Sequence, residues 1–481
     1  MADTGFKRHL NLPETVAMSV ALMAPTTGMV FVTPFLAQRA GYNVPLAFVV
    51  SLLGVMVIGY CFGRLGGKYA HAGSAYGLTQ DALGPGLGAL AGWGLVFMYT
   101  LLIGALLAGT GAFAQFALQQ IFNVTVPWGL LALLGAAIVL LFAIHNIRPS
   151  MRMMLIAELA SMSMIVVVCV LIIGHSHLAG RDAVKPFVLN SNGVGGIAQA
   201  LVFGLTSFLG FEGSATLGEE SRDPKRMVPL AIQLSALTGG LFFVFVAYAQ
   251  TVGYGLSAKG VAEFASASTP MNYLAQHFLS VDYSAVINVG ALISFFACAL
   301  AATNGSSHIV FALSRDRFAS ARLSTLHDRS NTPRRAIYVV FGTGLALLGL
   351  GAWLWSAPTT IIGNLSGLGL FGALVSYALV MLASLKEFGA ADIRNRKWTG
   401  LVLPVIGLGL LGYVLYGNIW PIQAPPVRYF PYITLAWFVI VMPLSLRTRR
   451  RAAGLVPATA TGDAAVAAVP AVAQDVISGG E

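Results

Sequence analysis

Long apolar runs with almost no charge constrain this sequence more than any other feature. The chain has 481 residues, of which only 10% are charged, whereas soluble globular domains carry about 25% charged residues. Runs of about 18 apolar residues or more are long enough to cross the hydrocarbon core of a bilayer as helices. Their hydrophobicity is continuous rather than alternating, which argues against a membrane β-barrel. The sequence therefore predicts an all-α polytopic membrane protein.

The apolar runs define twelve candidate transmembrane spans, numbered here in chain order. Because twelve is even, both termini are expected on the same side of the membrane. If the N-terminus is inside, 23 of the 28 Lys and Arg residues fall in inner segments, and cytoplasmic loops are enriched in these residues. Both termini are therefore predicted to be cytoplasmic. The outer basic residues are Arg39, Arg181, Lys185, Lys259 and Arg428. The spans are 13–37, 44–68, 85–118, 127–146, 152–174, 196–220, 228–254, 284–313, 335–355, 360–385, 398–417 and 429–446.

Charge and cysteine content exclude several other classes of protein. A net charge of +10 would favour nucleic-acid binding in a soluble protein, but here it is explained by basic cytoplasmic loops. Cys61, Cys169 and Cys298 all fall inside spans and show neither metal-ligand spacing nor a disulfide framework. We predict no cofactor, no metal and no nucleic-acid partner. The expected surroundings are the lipid bilayer of the cell membrane, an inner membrane if the chain is bacterial.

Two spans are interrupted near their middle by residues that weaken a helix. Span 1 contains Ala24-Pro25-Thr26-Thr27-Gly28-Met29, and span 6 contains Ser207-Phe208-Leu209-Gly210. Proline lacks an N–H group and glycine permits unusual φ angles. Spans 1 and 6 each begin a set of five spans, and an odd number inverts the second set relative to the first. Although a single kink is common in membrane helices, this pairing is typical of inverted-repeat transporters, whose sites lie where the breaks meet.

The same residues resemble a known family. Phe208-Leu209-Gly210-Phe211-Glu212, followed by Glu219-Glu220, Asp223-Pro224-Lys225-Arg226 and Pro229, is similar to the sixth-span signature of the amino acid–polyamine–organocation (APC) permeases. Ala72-Gly73-Ser74-Ala75-Tyr76 after span 2 and Asn331-Thr332-Pro333-Arg334-Arg335 before span 9 also match that family. The resemblance covers roughly residues 10–446.

The resemblance implies a leucine-transporter-like fold, in which two inverted five-helix repeats are followed by two extra helices. The two repeats and the extra helices would follow a short cytoplasmic N-terminus, and a disordered cytoplasmic tail would end the chain. The corresponding ranges are 1–12 for the N-terminus, 13–174 and 196–385 for the repeats, 398–446 for helices 11 and 12, and 447–481 for the tail.

The resemblance also implies that the substrate is held at the two breaks. A substrate carboxylate would meet backbone N–H groups in span 1, and an ammonium group would meet free carbonyls in spans 1 and 6. Half-helix ends carry the matching partial charges, and Phe208 would act as an aromatic lid. The predicted substrate-binding residues are Met23, Ala24, Thr26, Thr27, Gly28, Met29, Thr206, Ser207, Phe208, Leu209 and Gly210.

Two acids inside the spans are candidates for gating or coupling, because an ionisable residue at membrane depth is functional by default. Glu212 could couple the span-6 break to gating, or it could cap freed backbone N–H groups. Glu158 lies in span 5, where proton-coupled members of the family can carry a lysine. It could replace that lysine, or it could be a solvated or paired acid near the cytoplasmic end.

Further residues complete the predicted site. Sodium-coupled relatives of the fold use hydroxyl groups of span 8, so Ser306 and Ser307 are candidate sodium ligands. Hydrogen bonding between membrane helices is the alternative reading of both serines. The remaining pocket candidates are Tyr99, Ala302, Asn304 and Gly367.

These features predict a secondary active transporter, a symporter or exchanger, that moves amino acids or related organic amines by alternating access. A proton or sodium ion would be the coupling ion, and the small, uncharged pocket lining favours a neutral amino acid. The alternatives are a nucleobase, polyamine or inorganic cation on the same fold. A channel would usually need a repeated filter. A membrane enzyme would need a motif such as His-Glu-x-x-His, which the sequence lacks.

Overall fold

The molecule is a bundle of long helices. The computed structural model describes residues 10–69, 73–145, 147–176, 180–328 and 330–454, without the side chains of residues 147–149 and 451–454. Within these ranges the regular elements are helices, and an isolated β-bridge pairs Leu10 with Ser221. Ten helices in the described part are long and apolar enough to cross a membrane, which agrees with the predicted polytopic all-α class. Most of the predicted N-terminal segment and tail lies outside the described residues.

Two of the candidate spans are shorter than expected. The helices of spans 4 and 6 contain 16 and 14 residues, so they rise only about 24 and 21 Å, less than a hydrocarbon core of about 30 Å. The count of twelve spans therefore stays a prediction. The helices that form spans 1 to 12 are Leu12–Met23 with Pro25–Phe31 and Thr33–Ala40, Val44–Lys68, Pro85–Phe122, Trp128–Ala143, Ile147–His175, Gly193–Thr206, Pro224–Tyr254, Val281–Arg315, Arg334–Leu354, Pro358–Arg394, Thr399–Ile419 and Phe430–Gly454.

Span 1 is broken at Ala24. The first half-helix, Leu12–Met23, begins with a capping box in which the Asn11 backbone N–H donates to Glu14 Oε2 at 2.8 Å. It ends because Ala24 adopts a left-handed conformation with φ of 46°. A second helix, Pro25–Phe31, then starts with proline at a position where a missing N–H costs nothing. The break predicted around Pro25 is therefore present.

Span 6 is broken more completely than the sequence predicted. Its helix ends at Thr206 and not near residue 220, and the next α-helix begins only at Pro224. Between them, residues 207–223 form turns and one short 3₁₀-helix, Gly213–Thr216. Gly210 has a φ of 98°, which a residue with a Cβ rarely adopts. Because the stretch is largely buried, protein rather than lipid covers its irregular backbone.

Other spans surround the two breaks. The first half of span 1 packs against spans 5, 7 and 8, and span 3 packs along spans 8 and 10. Glycines allow the closest approaches. A Cβ added to Gly94 of span 3 would lie 2.7 Å from the Gly372 carbonyl oxygen of span 10. Small residues at helix contacts of this kind are typical of membrane bundles.

A polar network joins several helices at the end where spans 6 and 8 meet their connecting loops. Arg315 donates two hydrogen bonds to Glu219, at 2.9 and 3.0 Å. The neighbouring Asp316 accepts hydrogen bonds from Tyr76 and, at 3.2 Å, from Gln80. Burial raises the pKa of Tyr76, so its phenol stays protonated and continues to donate. This network holds these connecting loops against the bundle.

Candidate functional site

The breaks of spans 1 and 6 meet at the centre of the bundle. A Cβ added to Gly210 would lie 2.7 Å from Leu22 Cγ and 2.9 Å from the Leu22 backbone carbon and oxygen. One turn further on, the Ser214 backbone N–H donates to Ser19 Oγ at 2.8 Å. The non-helical part of span 6 therefore lies directly on the segment of span 1 that precedes its break.

An aromatic contact links the other faces of the breaks. Phe208 is fully buried, and its ring meets that of Phe243 in span 7 edge to face, with ring centres 4.9 Å apart. Phe243 in turn faces Gly28, whose Cβ position would be 3.6 Å from Cε1. Met23 faces span 7 as well, at Gly239. Three predicted binding residues thus share one apolar environment with span 7.

Several backbone groups of the predicted span-1 site form hydrogen bonds within the protein. The Ala24 carbonyl accepts from the Gly28 N–H at 3.1 Å and from the Thr27 hydroxyl at 2.8 Å. The Met29 carbonyl accepts from Gln250 Nε2 at 3.0 Å. Thr27 is nevertheless 9% exposed. These bonds fix the conformation of the second half of span 1.

The predicted span-6 residues lie around a small apolar cavity of about 20 Å³. Thr206, Phe208 and Leu209 line it together with residues of spans 2, 10 and 11. The Thr206 and Ser207 hydroxyl groups both donate to the Phe203 carbonyl, at 2.9 Å. These hydroxyls therefore satisfy the end of their own helix rather than point across the site.

Glu212 lies fully buried between three spans. The Tyr99 hydroxyl of span 3 donates to its Oε1 at 2.5 Å, and the Tyr377 hydroxyl of span 10 donates to its Oε2. The Gly210 backbone N–H lies 3.4 Å from the same Tyr377 oxygen. A buried carboxylate is stable only when such donors satisfy it. This cluster therefore ties spans 3, 6 and 10 together at the break.

Tyr377 is the residue of this cluster that the sequence analysis missed. It lies in the long apolar helix Pro358–Arg394, where its hydroxyl must find a partner. The sequence could have pointed to Tyr377, because a tyrosine hydroxyl in an apolar span needs a hydrogen-bond acceptor and Glu212 is such an acceptor. Which tyrosine meets which acid depends on helix packing, however, and one sequence does not show it.

Glu158 is buried beside the span-1 break. Its Oε1 accepts from the Ser294 hydroxyl of span 8 at 2.9 Å. The backbone amide of Thr26 is also close enough to interact with this carboxylate. Within the described part of the chain, Oε2 has no partner of good hydrogen-bond geometry. Because Glu158 is 0% exposed, the alternative of a solvated acid is wrong.

Hydroxyl groups complete the surroundings of Glu158. The Ser161 hydroxyl donates to Thr26 Oγ1 at 2.7 Å and also contacts the Gly290 carbonyl oxygen at 2.8 Å. Four oxygen-bearing side chains from spans 1, 5 and 8 therefore converge at one level of the bundle. They are those of Thr26, Glu158, Ser161 and Ser294.

The structure places the other span-8 candidates away from the breaks. Cys298 marks the level of the break, because its Sγ lies 3.2 Å from the Leu22 carbonyl oxygen. Ser306 and Ser307 lie about two turns further along the helix. Ser306 faces Thr100 of span 3 at 3.5 Å, and Ser307 donates to the Asn304 carbonyl of its own helix.

The remaining pocket candidates separate into two groups. Ala302 lies one turn from Cys298 on the same helix face and is fully buried. By contrast, the Asn304 amide faces Ser150 at 3.4 Å. Gly367 faces Phe430 of span 12. The structure therefore brings Tyr99 and Ala302 towards the breaks, but not Asn304 or Gly367.

This arrangement defines a class of protein. Multi-pass helical bundles in which two broken helices meet around buried polar groups are membrane transporters. A family model described as "Amino acid permease" matches residues 15–451. The chain belongs to this amino acid permease family of the APC superfamily, which confirms the resemblance found in the sequence.

Curated relatives align along most of the chain. The low-affinity putrescine importer PlaP of Escherichia coli is 26% identical, with 84% of this chain and 87% of the relative covered. The branched-chain amino acid permease BcaP of Bacillus subtilis is 25% identical, with coverages of 79% and 82%. The methylthioribose transporter of Bacillus subtilis is 24% identical, with coverages of 81% and 84%. All three are named as transporters rather than enzymes.

Proposed function

We propose that this protein is a secondary active transporter of amino acids or related organic amines in the cell membrane. It works by alternating access and holds its substrate where spans 1 and 6 are broken. The observation that carries the proposal is the contact between Gly210 and the Leu22 backbone. This contact makes the two breaks a single central feature, which is where such folds bind substrate.

The chemistry of the breaks suits a zwitterion. The helix Pro25–Phe31 begins at the break, and the first N–H groups of a helix attract a carboxylate. The helix Gly193–Thr206 ends at the other break, where the last carbonyls attract an ammonium group. An α-amino acid presents both charges on one carbon.

The side chains near the breaks favour a neutral amino acid. Met23, Phe208 and Phe243 offer apolar surface there, and Ala302 is small. The BcaP relatives are named for branched-chain amino acids, which agrees with such a lining. We therefore place neutral apolar amino acids first among substrates.

A polyamine is the second candidate. Glu158 carries a buried carboxylate beside Thr26, and a carboxylate there would attract a second ammonium group. The putrescine importer PlaP is among the relatives. If Glu158 binds the coupling ion instead of a second ammonium group, a neutral amino acid remains the proposed substrate.

We assign the coupling ion to the Glu158 cluster rather than to Ser306 and Ser307. Glu158, Ser161, Ser294 and Thr26 present carboxylate and hydroxyl oxygens at the level of the break. A carboxylate can hold a proton, and several oxygens together can hold a hard cation. Ser306 and Ser307 lie about two turns away, and their hydroxyl groups face Thr100 and the Asn304 carbonyl instead.

Uptake into proteoliposomes tests these proposals. The purified protein would be offered labelled leucine, alanine, arginine and putrescine under an inward proton gradient, an inward sodium gradient or neither. We expect saturable uptake of a neutral amino acid, driven by one gradient and supporting counterflow. Uptake of putrescine alone would favour the polyamine function. Failure to transport any of the four compounds by a folded preparation would overturn both candidates.

A further inference from the structure

An apolar groove of about 380 Å³ lies between spans 10, 11 and 12, outside the transport site. Of the ten helices in the described part of the chain that are long and apolar enough to cross a membrane, those of spans 11 and 12 are the least buried. The groove is therefore expected to open towards the hydrocarbon of the bilayer. Its walls include Phe371, Leu374, Leu411, Gly412, Leu435 and Phe438.

A basic residue stands at one end of this groove. Arg428 precedes the groove residue Pro431 by three positions, at the start of span 12. It is exposed, and its guanidinium lies over the Tyr429 ring at 4.7 Å. No carboxylate within the described ranges forms an ion pair with it. Exposed Trp420 and Tyr432 lie before and after it in the chain, and such aromatic residues are enriched at the membrane–water interface.

We propose that this groove binds one acyl chain of an anionic phospholipid whose phosphate pairs with Arg428. The apolar lining of the groove selects hydrocarbon, and the cation at its interfacial end selects a negative head group. A second groove lies beside Phe187 and Leu189. There the nearby Lys185 is already paired with Asp182 at 2.6 Å.

The bound acyl chain would also contact residues that border the proposed transport site. Leu374 and Leu411 line both the lipid groove and the small cavity beside the span-6 break. Tyr377, which holds Glu212, lines that same cavity and lies one turn from Leu374. Lipid in the groove therefore packs against the part of span 10 that positions Tyr377.

Native mass spectrometry of the full-length protein tests the proposal with phosphatidylglycerol and phosphatidylcholine of identical acyl chains. We expect the wild-type protein to retain phosphatidylglycerol about fivefold better, the effect of one interfacial basic residue. Arg428→Gln should remove this preference. The matched control Arg181→Gln changes an exposed arginine of another loop and should keep it.

A second pair of variants tests the groove itself. Gly412 and Gly409 both have open space where a Cβ would be placed, but only Gly412 lines the groove. Gly412→Phe should reduce binding of both lipids, whereas Gly409→Phe should bind as the wild-type protein does. Equal lipid binding by Arg428→Gln and Arg181→Gln would overturn the head-group assignment. A dimer that Gly412→Phe abolishes would show that a second copy, not lipid, fills the groove.

Discussion

At the scale of single residues, the Glu212 carboxylate joins three spans. Two phenol groups from different helices donate to it, and a hydrogen bond to a charged group contributes about 1.5–3 kcal/mol. Any movement of span 6 relative to spans 3 and 10 must break these bonds or carry the tyrosines along. Glu212 therefore links the conformation of the break to the packing of its neighbours.

Removing one of these donors should slow transport. Tyr377→Phe deletes the hydroxyl that reaches Glu212 Oε2 and leaves the ring contacts with Phe62 and Phe211. We expect uptake to fall by about tenfold or more, from the lost bond to a charged group. Tyr338→Phe, at a half-exposed tyrosine of span 9, is the matched control. Uptake at the wild-type rate in Tyr377→Phe would contradict the gating role.

Neutralising Glu212 tests the same cluster from the other side. In Glu212→Gln, one acceptor oxygen becomes an NH₂ group, so it cannot accept from both Tyr99 and Tyr377. We expect folded protein with strongly reduced uptake. Thermal melting separates this outcome from a loss of folding. Wild-type uptake by Glu212→Gln would refute the coupling role.

Glu158 should determine dependence on the driving gradient. Glu158→Gln keeps a carbonyl oxygen for the Ser294 hydroxyl but removes the ionisable group. We expect counterflow exchange to persist while gradient-driven accumulation is lost. Glu263→Gln, in a helix outside the spans, is the control. Unchanged gradient dependence in Glu158→Gln would place the coupling ion elsewhere.

The two acids could be found from the sequence because a carboxylate in an apolar span is conspicuous. Their partners could not. Tyr377 and Ser294 are ordinary residues of their helices, and only the relative register of packed spans brings them to Glu212 and Glu158. The same missing register is why the sequence does not show that the hydroxyl of Ser306, a candidate sodium ligand, faces Thr100 of span 3.

At the scale of helices, Gly210 permits the two breaks to meet. Gly210→Ala would place a methyl group against the Leu22 backbone at 2.9 Å and force a non-glycine residue to a φ of 98°. Such backbone strain costs about 1–3 kcal/mol, and the clash adds to it. We expect a lower melting temperature and loss of uptake.

Gly363→Ala provides the comparison, since it changes a helical glycine of span 10 with open space around it. Alanine is favoured over glycine inside a helix by about 1 kcal/mol, so this variant should be at least as stable as the wild-type protein. If Gly210→Ala melted at the same temperature as Gly363→Ala, close contact at Gly210 would not be required.

Proline and glycine residues predicted both helix breaks, but they did not predict how long the non-helical part of span 6 is. From Phe203 to Phe211 the residues are apolar except for Thr206 and Ser207, so hydropathy extends span 6 well past the actual helix end at Thr206. Hydropathy reports burial, and the non-helical backbone after Thr206 is buried as well. Helix conformation and burial are separate properties, and only the structure distinguishes them there.

At the scale of the whole molecule, ion pairs tie one end of the bundle together across distant spans. Arg64 pairs with Asp392 at 2.6 Å, and Arg315 pairs with Glu219 at 2.9 Å. At the other end, ion pairs such as Lys185–Asp182 join near neighbours in the chain. The tied end is the one predicted to be cytoplasmic. If that prediction holds, opening towards the cytoplasm requires these long-range pairs to separate.

Cysteine labelling on intact cells tests this orientation. The native Cys61, Cys169 and Cys298 are all buried, so an added surface cysteine should react without background. With a membrane-impermeant maleimide, we expect Lys259→Cys to label directly and Lys397→Cys to label only after permeabilisation, because the excess of Lys and Arg places residue 397 inside. The wild-type chain is the control for background. If only Lys397→Cys labelled directly, the predicted topology would be wrong, and the end with the long-range ion pairs would lie outside the cell.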